Sequence, residues 1–144
     1  MPAPTAYLDP TVDAGKLFVA RAFTGSLVML NLLRFKVTAD YSKTPELAPN
    51  RRISGAEAFD LYIRHTLPFL TESGGDLFFL GAGGPFLIGP AAERWDMAML
   101  VRQASVASFL AFARDDGYLA GLGHRTAALE DSRLLPLSET AIPW

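Results

Sequence analysis

SLVMLNLLRF, residues Ser26–Phe35, is the strongest structural signal in this sequence. Its residues are mostly apolar at both odd and even positions, so the pattern predicts a strand buried on both faces. The segment is too short to cross a membrane as a helix. Asn31 and Arg34 fall on opposite faces, and a buried amide or guanidinium group requires a partner. We therefore expect this strand to line both the core and a pocket.

Length and composition favour one domain. The chain has 144 residues, a net charge of -2 and no cysteine, which excludes disulfides and thiolate nucleophiles. The charge gives no reason to expect a nucleic acid or an anionic membrane as partner. Residues 1–4 lack the features of a signal peptide, so we expect a cytoplasmic protein. The predicted organisation is an N-terminal helical extension (1–25), a domain (26–140) and a tail (141–144).

Local signals divide the first half of the chain. Asp9 and Pro10 predict the start of a helix that runs to about residue 22. The segment 36–53 is a long loop, either a lid or a disordered or passive surface loop. Ser54 and Glu57 form a capping box that begins a helix, which ends before Gly74-Gly75.

The second half is predicted to hold three strands and two helices. The strands are residues 76–81, 95–102 and 134–138, and 86–88 are expected to pair back as a small hairpin arm. Pro136 restricts the last strand to a sheet edge. One helix begins after Ser105, and residues 118–130 are predicted to form another.

The order of elements after the first helix is β-α-β-β-α-β, which predicts an α+β, ferredoxin-like fold with its first and third strands in the centre. Helices cover only one face of such a sheet. Because 27–33 and 97–101 are apolar on both faces, we expect a second copy of the chain to cover the other face, as a homodimer. A charge at Met99 is expected to weaken that dimer if its side chain faces the partner.

Several short segments, in this order, also carry a family resemblance. They are VMLNLLRF (28–35), Ser54-Gly55, Glu57-Ala58, Gly74-Gly75, Ile88-Gly89-Pro90, Trp95-Asp96 and HRTAALEDS (124–132). Together they resemble the domain-of-unknown-function family 1330 of the dimeric α/β-barrel superfamily, over residues 7–138. The resemblance implies a homodimer whose two sheets close into a barrel, with pockets near the interface. It implies no particular reaction, because fold alone does not specify one.

His124 and Arg125 are the candidate catalytic residues. An arginine can bind a carboxylate with two parallel hydrogen bonds, and a histidine can exchange a proton near neutral pH. The alternative is structural: Arg125 paired with Glu130 or Asp131, and His124 bonded to a neighbouring carbonyl.

The candidate ligand-binding residues are Asn31, Tyr62, His65 and Asp96. Tyr62 and His65 lie about one turn apart on the predicted helix and could face the sheet beside Asn31. Asp96 could orient a histidine or bind an arginine, and Arg34 is expected to pair with an acid such as Asp60 or Asp96. Each of these residues also has a structural explanation as a satisfied core group. No spacing indicates a metal site, and we expect no cofactor.

Two hypotheses follow. In the first, each subunit holds a pocket for a small acid or carbonyl compound and could act as a cofactor-free enzyme. Arg125 binds the anion, His124 acts as acid or base, and Asn31 and Tyr62 supply hydrogen bonds. In the second, the protein is a homodimeric binding or structural module without catalysis.

Overall fold

The computed structural model describes residues 5–142. The first residues of the predicted N-terminal extension and the end of the predicted tail lie outside this range. Four antiparallel strands form one sheet in the order β2-β3-β1-β4. Their bounds are β1 Leu27–Phe35, β2 Asp76–Pro85, β3 Arg94–Gln103 and β4 Leu129–Ser138. The first and third strands are central, which confirms the predicted α+β, ferredoxin-like fold.

Helices pack on one face of the sheet. They are α1 Val12–Ala20, α2 Gly55–Glu72, α3 Val106–Ala113, α4 Asp116–Leu119 and α5 Leu122–Ala128. The predicted capping box is present at the start of α2, where Ser54 accepts from the Glu57 N–H and the Glu57 carboxylate accepts from the Ser54 N–H. Both bonds satisfy backbone donors that a helix start leaves without partners.

The odd-numbered residues of β1 face these helices. Leu27, Met29 and Leu33 are almost fully buried, and Leu33 packs in a core with Phe59 of α2. Met99 of β3, paired with Asn31, belongs to the same core. A charge at Met99 was expected to weaken the dimer only if this side chain faced the partner. It faces the helices instead, so that expectation does not apply.

The even-numbered residues form the other face, which we call the open face. It carries Val28, Leu30 and Leu32 from β1, Ala98 and Leu100 from β3, and Phe79, Leu135 and Leu137 from the edge strands. Leu30 and Leu32 are only partly buried, and about half of the Phe79 side chain is exposed. The prediction that β1 is buried on both faces thus fails within one chain: the second face is apolar but accessible.

Some predicted boundaries were wrong. Helix α1 begins at Val12 because Thr11, not Asp9, accepts from the Ala14 N–H. The segment 86–88 forms no strand. The region 118–130 is not one helix but contains the end of α4, α5 and the first residues of β4. The break lies at Gly121, where a side chain would collide with the ring of His65 on α2.

The loop 36–53 lies against α5 and contains a 3₁₀ turn, Pro45–Leu47. Its backbone is bonded at several points: the N–H of Lys36 donates to the Ala128 carbonyl (2.8 Å) and that of Asp40 to the Ala127 carbonyl (2.9 Å). Gly123 of α5 is in close contact with Thr44 and leaves no room for a side chain. This loop therefore packs on the domain rather than extending into solvent.

Candidate functional site

Arg125 of α5 lies over the helix-facing side of β4. Its guanidinium group donates to the Leu8 carbonyl (2.6 Å) and to the Ser132 hydroxyl (3.3 Å). Both acceptors are neutral, and no carboxylate within residues 5–142 lies within 4 Å of the guanidinium nitrogens. The structural alternative, in which Arg125 pairs with Glu130 or Asp131, is therefore not found. Arg125 is partly buried, and its charge has no anionic partner in this part of the chain.

Asn31 interrupts the most tightly packed row of the sheet. On the helix-facing side of β1, its neighbours Met29 and Leu33 are 2% and 0% exposed, whereas Asn31 keeps partial access to solvent. Its cross-strand partner on β4, Leu134, is 49% exposed. Asn31 Nδ2 donates to the Met29 carbonyl at 3.3 Å, a long bond, and its Oδ1 accepts none of the hydrogen bonds found within residues 5–142.

The strand register places Ser132, which Arg125 binds, near Asn31. Ser132, which accepts from Arg125, pairs with Leu33 and is the diagonal neighbour of Asn31 on β4. Diagonal neighbours on one sheet face lie roughly 7–8 Å apart. We call this place, formed by Asn31, Ser132, Leu134 and Arg125, the Asn31 opening.

Tyr62 of α2 packs beside this opening. Its ring contacts Phe59 of the core, and its hydroxyl is hydrogen-bonded to that of Tyr118 (2.8 Å). Burial, with a smaller contribution from Tyr118, raises the pKa of Tyr62 far above its ordinary value, while the nearby Arg125 charge opposes the shift. The phenol therefore remains protonated and can act only as a neutral hydrogen-bonding group.

His124 contacts the long loop rather than the residues of the Asn31 opening. Its Nδ1 is hydrogen-bonded to the hydroxyl of Tyr41 (2.7 Å) in the segment 36–53. Burial, and then the nearby His65, lower the pKa of His124, so its imidazole is neutral at neutral pH. His65 itself is bonded through Nε2 to the Gly117 carbonyl (2.7 Å) and stacks on Phe69. His65 thus joins α2 to α4, the structural role that was its alternative.

Arg34 and Asp96 do not share the opening. Arg34 belongs to the open face, where it donates to the Arg94 carbonyl. Its acidic partner is Asp131, at 3.9 Å, rather than Asp60 or Asp96, the two acids named as examples. Asp96 accepts from the Phe35 N–H and pairs with Arg94 (2.9 Å). It is thus separated from the other candidate residues.

Two open depressions flank the long loop. One, of about 430 Å³, is lined by Tyr41, Asn50, Arg52 and their neighbours, and the other, of about 490 Å³, lies between that loop and the first turns of α2. Neither is lined by the residues of the Asn31 opening. Tyr41 connects the first depression to a candidate residue, because its hydroxyl is hydrogen-bonded to His124. The first depression is lined by residues of the long loop and the second also by residues of α2, and neither holds an arrangement that indicates chemistry.

Within residues 5–142 no group of three or more histidine or acidic side chains is positioned to hold a metal ion. In the same range, none of the helices has the length and apolar character needed to cross a membrane.

Two solved structures of one protein are similar to this chain over nearly its whole length. The crystal structure of RPA0582 from Rhodopseudomonas palustris, a protein of unknown function, is 35% identical to this chain over 96% of its length and 100% of the other, with a TM-score of 0.83. This chain belongs to the RPA0582 family. A structure of methylated RPA0582 is likewise 35% identical, covering 98% of this chain and 100% of the other, with a TM-score of 0.85.

Beyond the RPA0582 family the comparisons say little. A dimeric protein of unknown function and ferredoxin-like fold from Bacteroides fragilis is 10% identical, over 81% of this chain and 99% of the other, with a TM-score of 0.49. No family model and no curated protein matches the chain. Membership of family 1330 therefore stays a prediction.

Sequence analysis missed Tyr41, Tyr118 and Ser132, the polar partners of the candidate residues. Two of them are distant in sequence from the group they contact: Tyr41 is 83 positions from His124, and Tyr118 is 56 from Tyr62, whereas Ser132 is 7 from Arg125. No local pattern encodes such pairs. The only signal was composition, since tyrosine hydroxyls in a mainly apolar chain need partners when buried.

Proposed function

We propose that the protein is a homodimer in which each subunit binds a small carboxylate or carbonyl compound at the Asn31 opening. The supporting observation is the partly buried guanidinium of Arg125, which has neutral acceptors and no carboxylate within 4 Å among residues 5–142. Taking a charge out of water is costly unless an opposite charge compensates it. A bound carboxylate would supply that charge and use the donors of the guanidinium group that are not already bonded.

The remaining groups fit a ligand of modest size. The Asn31 amide can bond to a carbonyl or carboxylate oxygen, and the exposed Leu134 beside it offers an apolar surface. Tyr62 supplies a neutral hydroxyl. If a reaction occurs, His124 is the candidate base, because it is neutral at pH 7 and its Nε2 makes no hydrogen bond within residues 5–142.

The open face supports the dimer. Its apolar side chains remain accessible, and both edge strands, β2 and β4, are ten residues long and carry exposed apolar residues. Long apolar edges invite pairing with another chain. Two such four-stranded sheets would close into a barrel of eight strands, whose interior is just wide enough to be filled by side chains. A second copy would thus cover the open face.

The second candidate is a non-catalytic structural module. The hydrogen bonds of Arg125 also favour this candidate. Its two hydrogen bonds tie the N-terminal segment at Leu8 to β4 at Ser132, which is a sufficient reason for an arginine at this position. The two candidates differ in whether the remaining donors of Arg125 bind a ligand.

Benzoate, a partly apolar carboxylate, and benzamide, its neutral analogue, can separate them. If Arg125 binds an anion, benzoate should raise the melting temperature of the wild type, and benzamide should not. At about 100 times its dissociation constant, benzoate should add roughly 2.7 kcal/mol to the free energy of unfolding. Arg125→Ala should abolish that response, and Arg125→Lys should restore only part of it, because lysine lacks the planar pair of donors.

The control is Arg64→Ala, which removes an equal charge from an exposed ion pair with Asp60 on α2. Its benzoate response should match that of the wild type. Arg125→Ala should also lower the free energy of unfolding by about 1–3 kcal/mol, because two hydrogen bonds from a charged donor are lost. A stability loss of that size in a protein that never responds to benzoate would support the structural module and refute the anion site.

A further inference from the structure

The hydroxyl groups of Tyr62 and Tyr118 form a pair that leaves one O–H without an acceptor. The two oxygens are 2.8 Å apart, and either hydroxyl can be the donor. Each has one O–H to donate and lone pairs that accept, so this single bond uses only one of the two O–H groups. Neither hydroxyl makes another hydrogen bond within residues 5–142. Both tyrosines are partly buried, where a polar hydrogen without an acceptor is unfavourable.

A third hydroxyl, that of Thr66, does not take up the spare O–H. Thr66 lies one turn after Tyr62 on α2 and is 8% exposed. Burial raises the pKa of Tyr62, and the Thr66 hydroxyl is close enough to oppose part of that rise. Its Oγ1 nevertheless has no hydrogen-bond partner in the part of the chain that the structure describes. The described residues thus offer the spare O–H no acceptor.

Tyr118 is held in place by several contacts of its own. Its N–H donates to the Asp115 carboxylate at the start of α4 (3.0 Å), and its ring packs on that of Phe112 with the centroids 4.5 Å apart. The carbonyl of the preceding residue, Gly117, accepts from His65 of α2 (2.7 Å). A hydroxyl fixed in this way can orient the hydroxyl to which it is bonded.

Tyr62 connects this pair to the Asn31 opening. Its ring packs on that of Phe59, with the centroids 5.2 Å apart, and so lies against the core under β1. Burial raises the pKa of Tyr62, and the Arg125 charge is close enough to act against that rise. A ligand whose carboxylate binds Arg125 would therefore place its next atoms beside the neutral groups of Tyr62 and Asn31.

We infer that Tyr118 is a positioning residue that directs the O–H of Tyr62 to the ligand, and that the site prefers a 2-oxo acid, whose carbonyl oxygen is next to its carboxylate. This inference rests on the proposed function and deepens it by naming the ligand class. Arg125 supplies the charge that binds an acid, whereas Tyr62 and Asn31 are neutral and suit a neutral oxygen. When Tyr118 donates to Tyr62 and Tyr62 donates to the carbonyl oxygen, both O–H groups are used, and each bond strengthens the other.

Benzoylformate and phenylacetate test the preference for a carbonyl oxygen, because they differ only in a C=O or a CH₂ next to the carboxylate. Isothermal titration of the wild type should give a dissociation constant for benzoylformate that is roughly tenfold lower than that for phenylacetate. A constant for benzoylformate that is equal or higher, with Arg125→Ala abolishing the binding of both acids, would overturn the inference and leave the anion site. If neither acid nor benzoate binds the wild type, the inference and the proposed function both fail.

Tyrosine-to-phenylalanine variants test whether Tyr118 acts through Tyr62. Tyr118→Phe keeps the ring and its contact with Phe112. It should raise the dissociation constant for benzoylformate about tenfold and change that for phenylacetate by less than about twofold. Tyr62→Phe should have the same effect, and the double variant should lose no more affinity than Tyr62→Phe alone. A fall in the melting temperature of Tyr118→Phe with the ratio of the two constants unchanged would show a purely structural role and overturn the positioning role.

The matched control is Tyr7→Phe, which removes the hydroxyl of a side chain that is 54% exposed and keeps the ring beside Arg133. The ratio of its two dissociation constants should equal that of the wild type. If the ratio falls as far in Tyr7→Phe as in Tyr118→Phe, the loss of any tyrosine hydroxyl is sufficient, and the role assigned to Tyr118 is overturned.

Discussion

The two faces of the sheet satisfy their charged groups differently. On the helix-facing side, Arg125 has only neutral acceptors within residues 5–142, and the Asn31 amide lies in a gap between buried neighbours. On the open face the charges are paired: Asp131 lies 2.8 Å from Arg133 and 3.9 Å from Arg34. The guanidinium carbons of Arg34 and Arg133 also lie over the Trp95 ring, at 4.7 and 5.0 Å from its centroid.

This difference separates two kinds of partner. A charge without an opposite charge is suited to a small anionic ligand, whereas compensated charges at the end of an apolar surface are suited to another protein surface. The helix-facing side, which we call the covered face, therefore supports the ligand proposal, and the open face supports the dimer. The experiments below test whether the two faces are as distinct as their contacts suggest.

The largest expected effect is on the free energy of unfolding, and it comes from comparing a phenylalanine on each side of the sheet. Phe59, 1% exposed, packs against Phe35 and Tyr62 on the covered face, so Phe59→Ala should lower the free energy of unfolding by about 3–5 kcal/mol. Phe79 on the open face is 52% exposed, so Phe79→Ala should cost a single chain about 0.5 kcal/mol. Its main effect should be a dimer dissociation constant raised roughly tenfold, about 1.4 kcal/mol.

Urea unfolding at fixed protein concentration measures the first quantity, and sedimentation equilibrium measures the second. Equal losses of stability, with no change in association for Phe79→Ala, would mean that the open face is not an interface.

Asp131 gives a pH-dependent effect of intermediate size. Burial would raise the pKa of Asp131, but hydrogen bonds from the Tyr7 N–H, Arg133 and the Ser132 N–H together hold it below its ordinary value of 3.8. Because the folded-state pKa is the lower one, the carboxylate stabilises the fold above pH 3.8. That contribution is lost as the pH falls through the folded-state pKa.

We therefore expect Asp131→Asn to cost about 1–3 kcal/mol at pH 7 and progressively less below pH 3.8. Unfolding by urea at pH 7 and pH 2.5 measures this difference, and the exposed neighbour Glu130→Gln serves as the control. A loss for Asp131→Asn that is the same at both pH values would show that its ionisation does not stabilise the fold.

The sequence predicted the fold because the relevant signals were local. The two-sided apolar pattern of β1, the capping box at Ser54 and the restriction imposed by Pro136 each concern a few consecutive residues, and each is present. Opposite faces for Asn31 and Arg34 followed from strand alternation alone. The helix around Gly121 was predicted as continuous, and the ring of His65, which leaves room only for glycine at that position, is 56 residues away.

The candidate site was less predictable for the same reason. The partners of Arg34 and Arg125 depend on strand register and on where the N-terminal segment crosses β4. A carboxylate next to an arginine in sequence is a poor guide, since Asp131 lies on the face opposite Arg125 and pairs with Arg34 and Arg133 instead. The choice among acids was therefore decided by tertiary structure.

The smallest effect concerns Gln103, at the end of β3 on the covered face. It is 1% exposed, and its Oε1 is buried without a hydrogen-bond partner in the part of the chain described. A buried polar atom without a partner destabilises a protein, so an apolar residue of similar size should be tolerated or favourable. We expect Gln103→Met to leave the free energy of unfolding unchanged or to raise it by about 1 kcal/mol. If urea unfolding instead shows a loss above about 1 kcal/mol, Gln103 accepts a bond in solution, and the covered face is less completely closed at this end than its packing indicates.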